Sequence, residues 1–258
     1  AVISDNRFGL YHKKIPSIFI THQLTIKSPF GKWTEKMLQR RNYKYINRFT
    51  ECWVPDYESE NNLAGDLSHP TLKPTTALKY IGALTRIRDK AVVEKEKHLA
   101  VILSGPEPQR SILEEKLINE ISHYNGTATF IRGLPGNKSI IPSTNMIQFY
   151  NHLPSDELNN AMQEAEYIIC RSGYSSVMDI AALQKKSMLI PTPGQTEQEY
   201  LADYLMKKRF AVCYKQNDFS LENALQTAKE FNYSFPVIQP DDLLKNRITN
   251  FLKSITKD

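Results

Sequence analysis

A cluster of hydroxyl side chains around one glycine is the strongest candidate for chemistry in this sequence. The run Arg171-Ser172-Gly173-Tyr174-Ser175-Ser176 lies between an unbroken apolar segment and a stretch with helical periodicity. That order predicts a strand, a turn and a helix N-terminus, whose unpaired N–H groups and positive dipole end favour phosphate. Gly173 would let the backbone approach a phosphate oxygen closely. Helix capping by Ser172 is the ordinary alternative, but it would explain one serine and not the cluster.

Other predicted strand ends are also polar. Ser104-Gly105 precedes a helix in the same way and forms a second candidate phosphate turn, where Arg110 could neutralise a diphosphate or simply be solvated. The remaining polar strand ends are Arg132, Asn151-His152 and Thr192-Pro193-Gly194-Gln195. In a doubly wound sheet, ligands bind outside the carboxyl ends of the strands. Any one of these loops could be a mere polar turn, but together they predict a site at this edge.

The elements that must position these residues alternate between strands and helices. The predicted strands cover 15–20, 52–56, 98–103, 127–131, 146–150, 167–170 and 187–191. The predicted helices cover 32–49, the stretch ending at 122, 155–164, 173–184, 196–207, 220–230 and 240–254. This rhythm predicts an α/β fold with a parallel sheet. A polar loop at 57–76 suggests a boundary near residue 84, which gives domains 1–83 and 84–258.

Composition excludes several classes of protein. The 258 residues are 41% hydrophobic and contain no apolar run of about 20 residues, so no spanning helix is predicted. Cys52, Cys170 and Cys213 form no CxxC pair, which favours buried reduced thiols over a zinc site. GxGxxG and GxSxG motifs are missing. The first residues, Ala-Val-Ile-Ser-Asp, resemble a strand without a lead-in, so we expect that upstream sequence is missing.

The formal net charge of +5 suits an anionic small ligand or a lipid surface as well as nucleic acid. The segment Lys27–Arg48 carries seven lysines and arginines together with Phe30, Trp33, Met37 and Leu38. Such a helix could lie on anionic lipid, or its apolar stripe could pack on the domain. No nucleic-acid partner is predicted, because the basic residues are not interleaved with stacking aromatics across a sheet.

The sequence from Arg171 to Ile180, followed by residues 189–202, resembles GT-B glycosyltransferases of family 28, which include enzymes of bacterial cell-wall synthesis. The resemblance covers the C-terminal part well and the first 80 or so residues loosely. It implies a GT-B-like fold: residues 84–258 as a doubly wound, Rossmann-like, donor-binding domain, and residues 1–83 as the remnant of a second Rossmann-like, acceptor-side N-terminal domain.

The resemblance also assigns roles to residues. The donor diphosphate would be held by Arg171, Ser172, Gly173, Tyr174, Ser175 and Ser176, the ribose by Asp179, and the nucleotide base by Asn151 and His152. Strand-end position alone adds Ser104, Gly105 and Arg110 to the diphosphate candidates and Arg132 to those for the base. The sugar would be read by Gln195, Thr196, Glu197, Gln198 and Glu199, where Glu199 departs from the family's usual glutamine. His22 is the one candidate for the catalytic base.

The implied reaction is inverting, metal-independent transfer from a nucleotide-diphosphate sugar, with uridine as the expected nucleoside, by a hexosyl- or N-acetylhexosaminyltransferase. The nucleotide-sugar is a substrate, and no cofactor or metal is expected. The acceptor is open but could be lipid-linked, and the expected location is cytoplasmic, peripheral to the inner membrane face. A nucleotide-sugar hydrolase or epimerase, or a donor-binding module without turnover, is the alternative.

Overall fold

The computed structural model describes residues 1–88, 90–236 and 242–255. They form two compact units: Ala1–Leu84 together with Pro236–Asp258, and Thr85–Phe235. The boundary after Leu84 lies one residue from the predicted one. Each unit has its own parallel sheet.

The first unit contains a four-stranded sheet in the order β1-β2-β3-β4. The strands are β1 (Val2–Asp5), β2 (Ser17–Ile20), β3 (Glu51–Val54) and β4 (Ala77–Tyr80), with helix α1 (Lys32–Ile46) between β2 and β3. All three pairings are parallel. The two central strands are almost continuously apolar because both faces of the sheet are covered. Strand β4 was not predicted, since Ala77-Leu78-Lys79-Tyr80 is short and lies at an edge with no fully buried residue.

The second unit contains a six-stranded parallel sheet in the order β10-β9-β8-β5-β6-β7. Its strands are β5 (His98–Ile102), β6 (Thr127–Ile131), β7 (Ile147–Tyr150), β8 (Tyr167–Cys170), β9 (Ser187–Leu189) and β10 (Val212–Cys213), and its helices are α2 (Gln109–Ile121), α3 (Ser155–Glu164), α4 (Tyr174–Leu183), α5 (Thr196–Lys207) and α6 (Leu221–Glu230). This confirms the predicted Rossmann-like, doubly wound α/β architecture. Only the two-residue strand β10 was missed in this unit.

The strand order of the second unit reverses between β5 and β8. From β5 the chain first moves outward through β6 and β7, then returns to β8 on the other side of β5 and continues to β9. Such a reversal opens a crevice at the carboxyl ends of the two central strands. The two predicted phosphate turns, after β5 and after β8, therefore flank this switch point.

Helix α7 (Asp242–Ile255) belongs to the first unit and not to the donor-binding domain to which the sequence assigned it. Phe251 packs edge-on against Trp53, with ring centroids 5.9 Å apart, and both lie in a cluster with Ile18 and Ile81. Helical periodicity predicted an apolar face here, but periodicity does not say which sheet that face will cover. Among the helices of the described residues, none is both long enough and apolar enough to cross a membrane.

Candidate functional site

The loops after β5, β8 and β9 meet at the switch point. Gly105 has φ +107°, a left-handed conformation that favours glycine. A Cβ at Gly105 would lie 3.7 Å from Oγ1 of Thr192, which places the loop after β5 beside the loop after β9. The hydroxyl of Thr192 is buried and has no hydrogen-bond partner. The edge of the sheet therefore carries a polar group whose bonding is incomplete in the free protein.

The N-terminus of α4 is open at this edge. Gly173 is the N-cap, with φ −72° and ψ 142°, and no side chain caps the helix. The first turn contains no acidic residue. A Cβ at Gly173 would have no atom within 4 Å, Ser175 is exposed and Ser176 is half-buried. Capping by Ser172, the alternative considered for this turn, does not occur. The helix end thus offers backbone N–H groups, a positive dipole end and free space to an anion.

The two neighbouring helix starts already hold carboxylates. The carboxylate of Glu107 accepts a hydrogen bond from the backbone N–H of Ser111, 3.1 Å away, at the first turn of α2. Glu199 accepts one from Gly194 N–H, 2.9 Å away, at the start of α5. A phosphate at either place would face a negative charge. Helix α4 is therefore the best anion site of the three.

Arg110 does not reach into the site. Its guanidinium pairs with Glu107 and Glu114, and it is buried. A second buried arginine, Arg132, pairs with the same Glu114. In the free protein Arg110 thus belongs to an internal ion network in which each charge is compensated, and its contact with a diphosphate stays a prediction. Sequence could not show this, because Glu114 is brought to Arg132 only by the packing of α2 on the sheet.

Arg171 and Ser172 support the turn from inside. Arg171 is 1% exposed and donates to three backbone oxygens: Gln109 at 2.7 Å, Pro191 at 3.2 Å and Ile190 at 3.3 Å. Ser172 donates to the carbonyl of Gln198 at 2.8 Å. In the free protein the terminal nitrogens of Arg171 and the hydroxyl of Ser172 are thus engaged internally. Their direct contact with a diphosphate stays a prediction.

The charge of Arg171 is nevertheless unbalanced. No ion pair in the described part of the chain includes Arg171, and its Nε has no partner. Burial lowers the pKa of its guanidinium to about 10, so the side chain stays protonated at neutral pH. A buried cation without a carboxylate partner beside an open helix N-terminus makes the local field favourable for an anion.

The residues predicted to contact the nucleotide base fix the loop after β6 in place. Arg132 donates to the side-chain oxygen of Asn151 at 2.8 Å and to the carbonyl of Ser139 at 2.9 Å. Asn151 donates to the same carbonyl at 2.9 Å. His152 is exposed. Arg132 and Asn151 therefore fix residues 137–139 beside the strand ends, and only His152 extends into solvent.

Asp179 lies in α4, between one and two turns after Gly173, and is half-buried. Its Oδ1 accepts a hydrogen bond from the hydroxyl of Thr85. Burial raises the pKa of Asp179 above its usual value, while the Thr85 hydroxyl and the charge of Arg86 act in the opposite direction.

The predicted sugar-reading residues stand at the start of α5. Gln198 accepts from the backbone N–H of Thr192 at 2.9 Å and donates to the side chain of Gln195 at 2.6 Å. Glu199 is exposed, whereas Thr196 and Glu197 are half-buried in the first turn. Gln198 thereby connects the loop after β9 to α5. His22, the candidate catalytic base, follows β2 in the first unit and is half-buried.

Residues 137–239 match the family model of the glycosyltransferase family 28 C-terminal domain. This part of the chain is similar to the C-terminal domain of family 28 glycosyltransferases. Over 145 residues it is 28% identical to the UDP-N-acetylglucosamine–N-acetylmuramyl-(pentapeptide) pyrophosphoryl-undecaprenol N-acetylglucosamine transferase of Haemophilus ducreyi, which covers 54% of this chain and 40% of that protein. The same transferase of Francisella philomiragia is 23% identical over 184 residues, covering 66% and 47%. The chain thus spans under half the length of these relatives.

Solved glycosyltransferases share the fold of this chain. The glycosyltransferase of kitacinnamycin superposes with a TM-score of 0.56 at 14% identity, covering 90% of this chain and 65% of that one. MurG from Acinetobacter baumannii superposes with a TM-score of 0.50 at 15% identity, covering 90% and 61%. These similarities confirm the predicted GT-B fold and the resemblance to MurG.

Two residues of the candidate site could not be predicted in their roles from sequence. Thr192 was seen only as part of a polar strand end, and its unpartnered hydroxyl becomes apparent only when the loops are packed. Thr85 carried no signal, because nothing in a linker sequence indicates that it will bond a carboxylate 94 positions later.

Proposed function

We propose that the carboxyl edge of the second sheet binds a nucleotide-diphosphate sugar, with the diphosphate at the N-terminus of α4, and that the whole protein is a glycosyltransferase. The open N-terminus of α4 carries the proposal. This helix end has no side-chain cap, no acidic residue in its first turn and open space at Gly173. It also lies next to the unbalanced charge of Arg171. The family 28 match supports a sugar donor. Asp179, one to two turns along the same helix, is the proposed acceptor for the ribose hydroxyls.

The proposed reaction is inverting transfer without a metal. A base on the acceptor side removes the proton from the acceptor hydroxyl, whose oxygen forms a bond to the anomeric carbon as the bond to the diphosphate breaks. The leaving diphosphate gains negative charge, which the α4 dipole, its N–H groups and the field of Arg171 stabilise. His22 remains the candidate base. The names of the relatives support UDP-N-acetylglucosamine as donor and a lipid-linked acceptor.

Thermal unfolding with UDP, GDP, dTDP, CDP and no nucleotide tests donor binding. UDP at about 100 times its dissociation constant should stabilise the folded chain by about 2.7 kcal/mol, which raises Tm by several degrees. Asp179→Asn should reduce the shift, because an amide is a poorer acceptor for ribose hydroxyls. Equal Tm values with and without every nucleotide would refute the proposal. If the donor binds and its sugar is hydrolysed or epimerised, the protein is a hydrolase or epimerase instead of a transferase.

The exposed face of α1 is proposed to contact the anionic cytoplasmic face of the inner membrane. The buried side of α1 consists of Gln39, Asn42, Tyr43 and Ile46. Trp33 and Met37 on α1 are 75% and 51% exposed, and Phe30, just before the helix, is 82% exposed. The same face carries the exposed cations Lys36, Arg40, Arg41 and Lys44. Helix α1 therefore packs on its unit through Tyr43 and Ile46, while Trp33 and Met37 lie on the face exposed to solvent. Aromatic residues among cations are suited to the interface of an anionic bilayer.

The double substitution Phe30→Ser, Trp33→Ser should weaken binding to vesicles of phosphatidylglycerol and phosphatidylcholine by at least about tenfold, since each ring contributes up to about 1.5–3 kcal/mol on burial. Co-sedimentation measures the effect, and added salt should weaken binding of the wild type. Val93→Ser, which removes an equally exposed apolar side chain from the second unit, is the control. Unchanged binding of the double variant would exclude α1 as the contact.

A further inference from the structure

The chain segment that enters the second unit is fixed against that unit. Ile87 is buried. The carbonyl of Arg88 accepts hydrogen bonds from the side chains of Asn159 at 2.8 Å and Gln163 at 3.2 Å, both on α3. These contacts leave residues 85–88 little freedom, so Thr85 is held at a defined place beside α4.

The orientation of the Thr85 hydroxyl follows from its two contacts. Its oxygen accepts a hydrogen bond from the backbone N–H of Ile87 at 3.0 Å. Its own proton is then donated to Oδ1 of Asp179, 2.5 Å away. Among the described residues, no group donates to the other carboxylate oxygen, Oδ2. One oxygen of Asp179 is therefore fixed by the protein, and the other keeps its capacity to accept hydrogen bonds.

Burial, the Thr85 hydroxyl and the charge of Arg86 determine the charge of Asp179. Burial favours its neutral form, whereas the Thr85 hydroxyl and the exposed Arg86 favour the carboxylate. On β8, the buried thiol of Cys170 has its pKa raised to about 12, by burial first and by Asp179 second, and so stays neutral. The Thr85 hydrogen bond is thus the one direct contact that favours the ionised form.

We propose that Thr85 is a positioning residue for ribose recognition: it orients the carboxylate of Asp179 and keeps it ionised, so that Oδ2 accepts the ribose hydroxyls of the donor. This inference rests on the proposed function, because it assumes that Asp179 binds ribose. Thr85 itself does not contact the donor. Its hydroxyl acts through the carboxylate, in the way that a hydrogen-bonded neighbour orients and tunes a ligand-binding group.

The test compares wild type, Thr85→Ser and Thr85→Val by calorimetric titration with UDP-N-acetylglucosamine from pH 5.5 to 8. This probe is suitable because its diphosphate carries no proton that titrates in the range. At pH 7.5 Thr85→Val should bind about tenfold more weakly, as expected for a lost hydrogen bond to a charged group. Thr85→Ser, which retains the hydroxyl, should bind like the wild type.

The pH profile separates positioning from a structural defect. Binding requires the carboxylate, so affinity falls as pH falls through the pKa of Asp179. Removing the hydroxyl raises that pKa further, and the decline should therefore begin at higher pH in Thr85→Val than in wild type or Thr85→Ser. Asp179→Asn should bind weakly without this decline, which assigns the titration to Asp179.

The outcomes distinguish the two proposals. If wild type does not bind the probe, the proposed function fails. If wild type binds and Thr85→Val shows the same affinity and pH profile, donor binding stands and the role of Thr85 is refuted. A Thr85→Val variant that is uniformly weaker at all pH values, with Thr85→Ser equally weak, would mean a packing defect and would also overturn the inference.

Discussion

Gly173→Ala is expected to weaken UDP binding on the order of 100-fold while leaving the free chain at least as stable as the wild type. With φ −72° and ψ 142°, Gly173 already has a conformation that alanine adopts without strain, and the added methyl group meets no atom within 4 Å. The methyl would instead occupy the space from which a phosphate approaches the first N–H groups of α4. A hundredfold loss corresponds to about 2.7 kcal/mol of binding free energy.

Calorimetric titration with UDP measures the loss of affinity, and thermal unfolding without ligand measures the stability of the free chain. Gly9→Ala is a suitable control, since a Cβ at Gly9 also meets no atom within 4 Å and lies in the other unit. It carries the same change in unfolded-state entropy, of about 0.4–1 kcal/mol. Full UDP affinity in Gly173→Ala would show that the diphosphate does not bind at α4.

Gly133→Ala is expected to destabilise the second unit by about 3 kcal/mol or more. Gly133 has φ +70°, which costs an alanine about 1–2 kcal/mol. Its added Cβ would also lie 2.2 Å from the carbonyl oxygen of Leu103 and 3.0 Å from its carbon. Both are backbone atoms at the end of β5, so the clash can be relieved only by moving the strand ends that form the site.

Gly136→Ala separates the two causes, because Gly136 has φ +82° in the same loop but no atom within 4 Å of an added Cβ. Gly136→Ala should lower the free energy of unfolding only by the cost of the left-handed conformation, about 1–2 kcal/mol. Thermal unfolding monitors both variants, and the transition that UDP shifts identifies the second unit. Equal losses in the two variants would mean that the close approach of residue 133 to β5 does not contribute.

Charge compensation distinguishes the helix starts at the carboxyl edge of this sheet. Glu107 and Glu199 accept backbone hydrogen bonds beside α2 and α5, so the protein itself supplies the anion there. At α4 it supplies none, and the nearby Arg171 has no carboxylate partner among the described residues. A bound diphosphate would supply at α4 the negative charge that Glu107 and Glu199 supply at the neighbouring helix starts.

The sequence by itself determined the class of fold and the position of the main turn. Strands such as 98–103 and 167–170 are apolar throughout because parallel strands are covered on both faces, and this signal is local. The turn at 171–176 is equally local, since a strand end, a glycine and a helix start follow one another directly. The family resemblance at 171–180 added the proposed donor class, and the comparisons match the glycosyltransferase type that it named.

Only the tertiary structure decided which polar side chains remain available to a ligand. Arg110 and Arg171 look alike in sequence, as basic residues close to phosphate turns. The structure compensates Arg110 with two glutamates and leaves Arg171 bonded to carbonyls alone. The sequence of α7 likewise predicted an apolar face, but only the structure shows that this face packs against Trp53. Hydrophobic periodicity and turn chemistry act between neighbours in sequence, whereas charge pairing and the choice of packing partner depend on residues that only folding brings together.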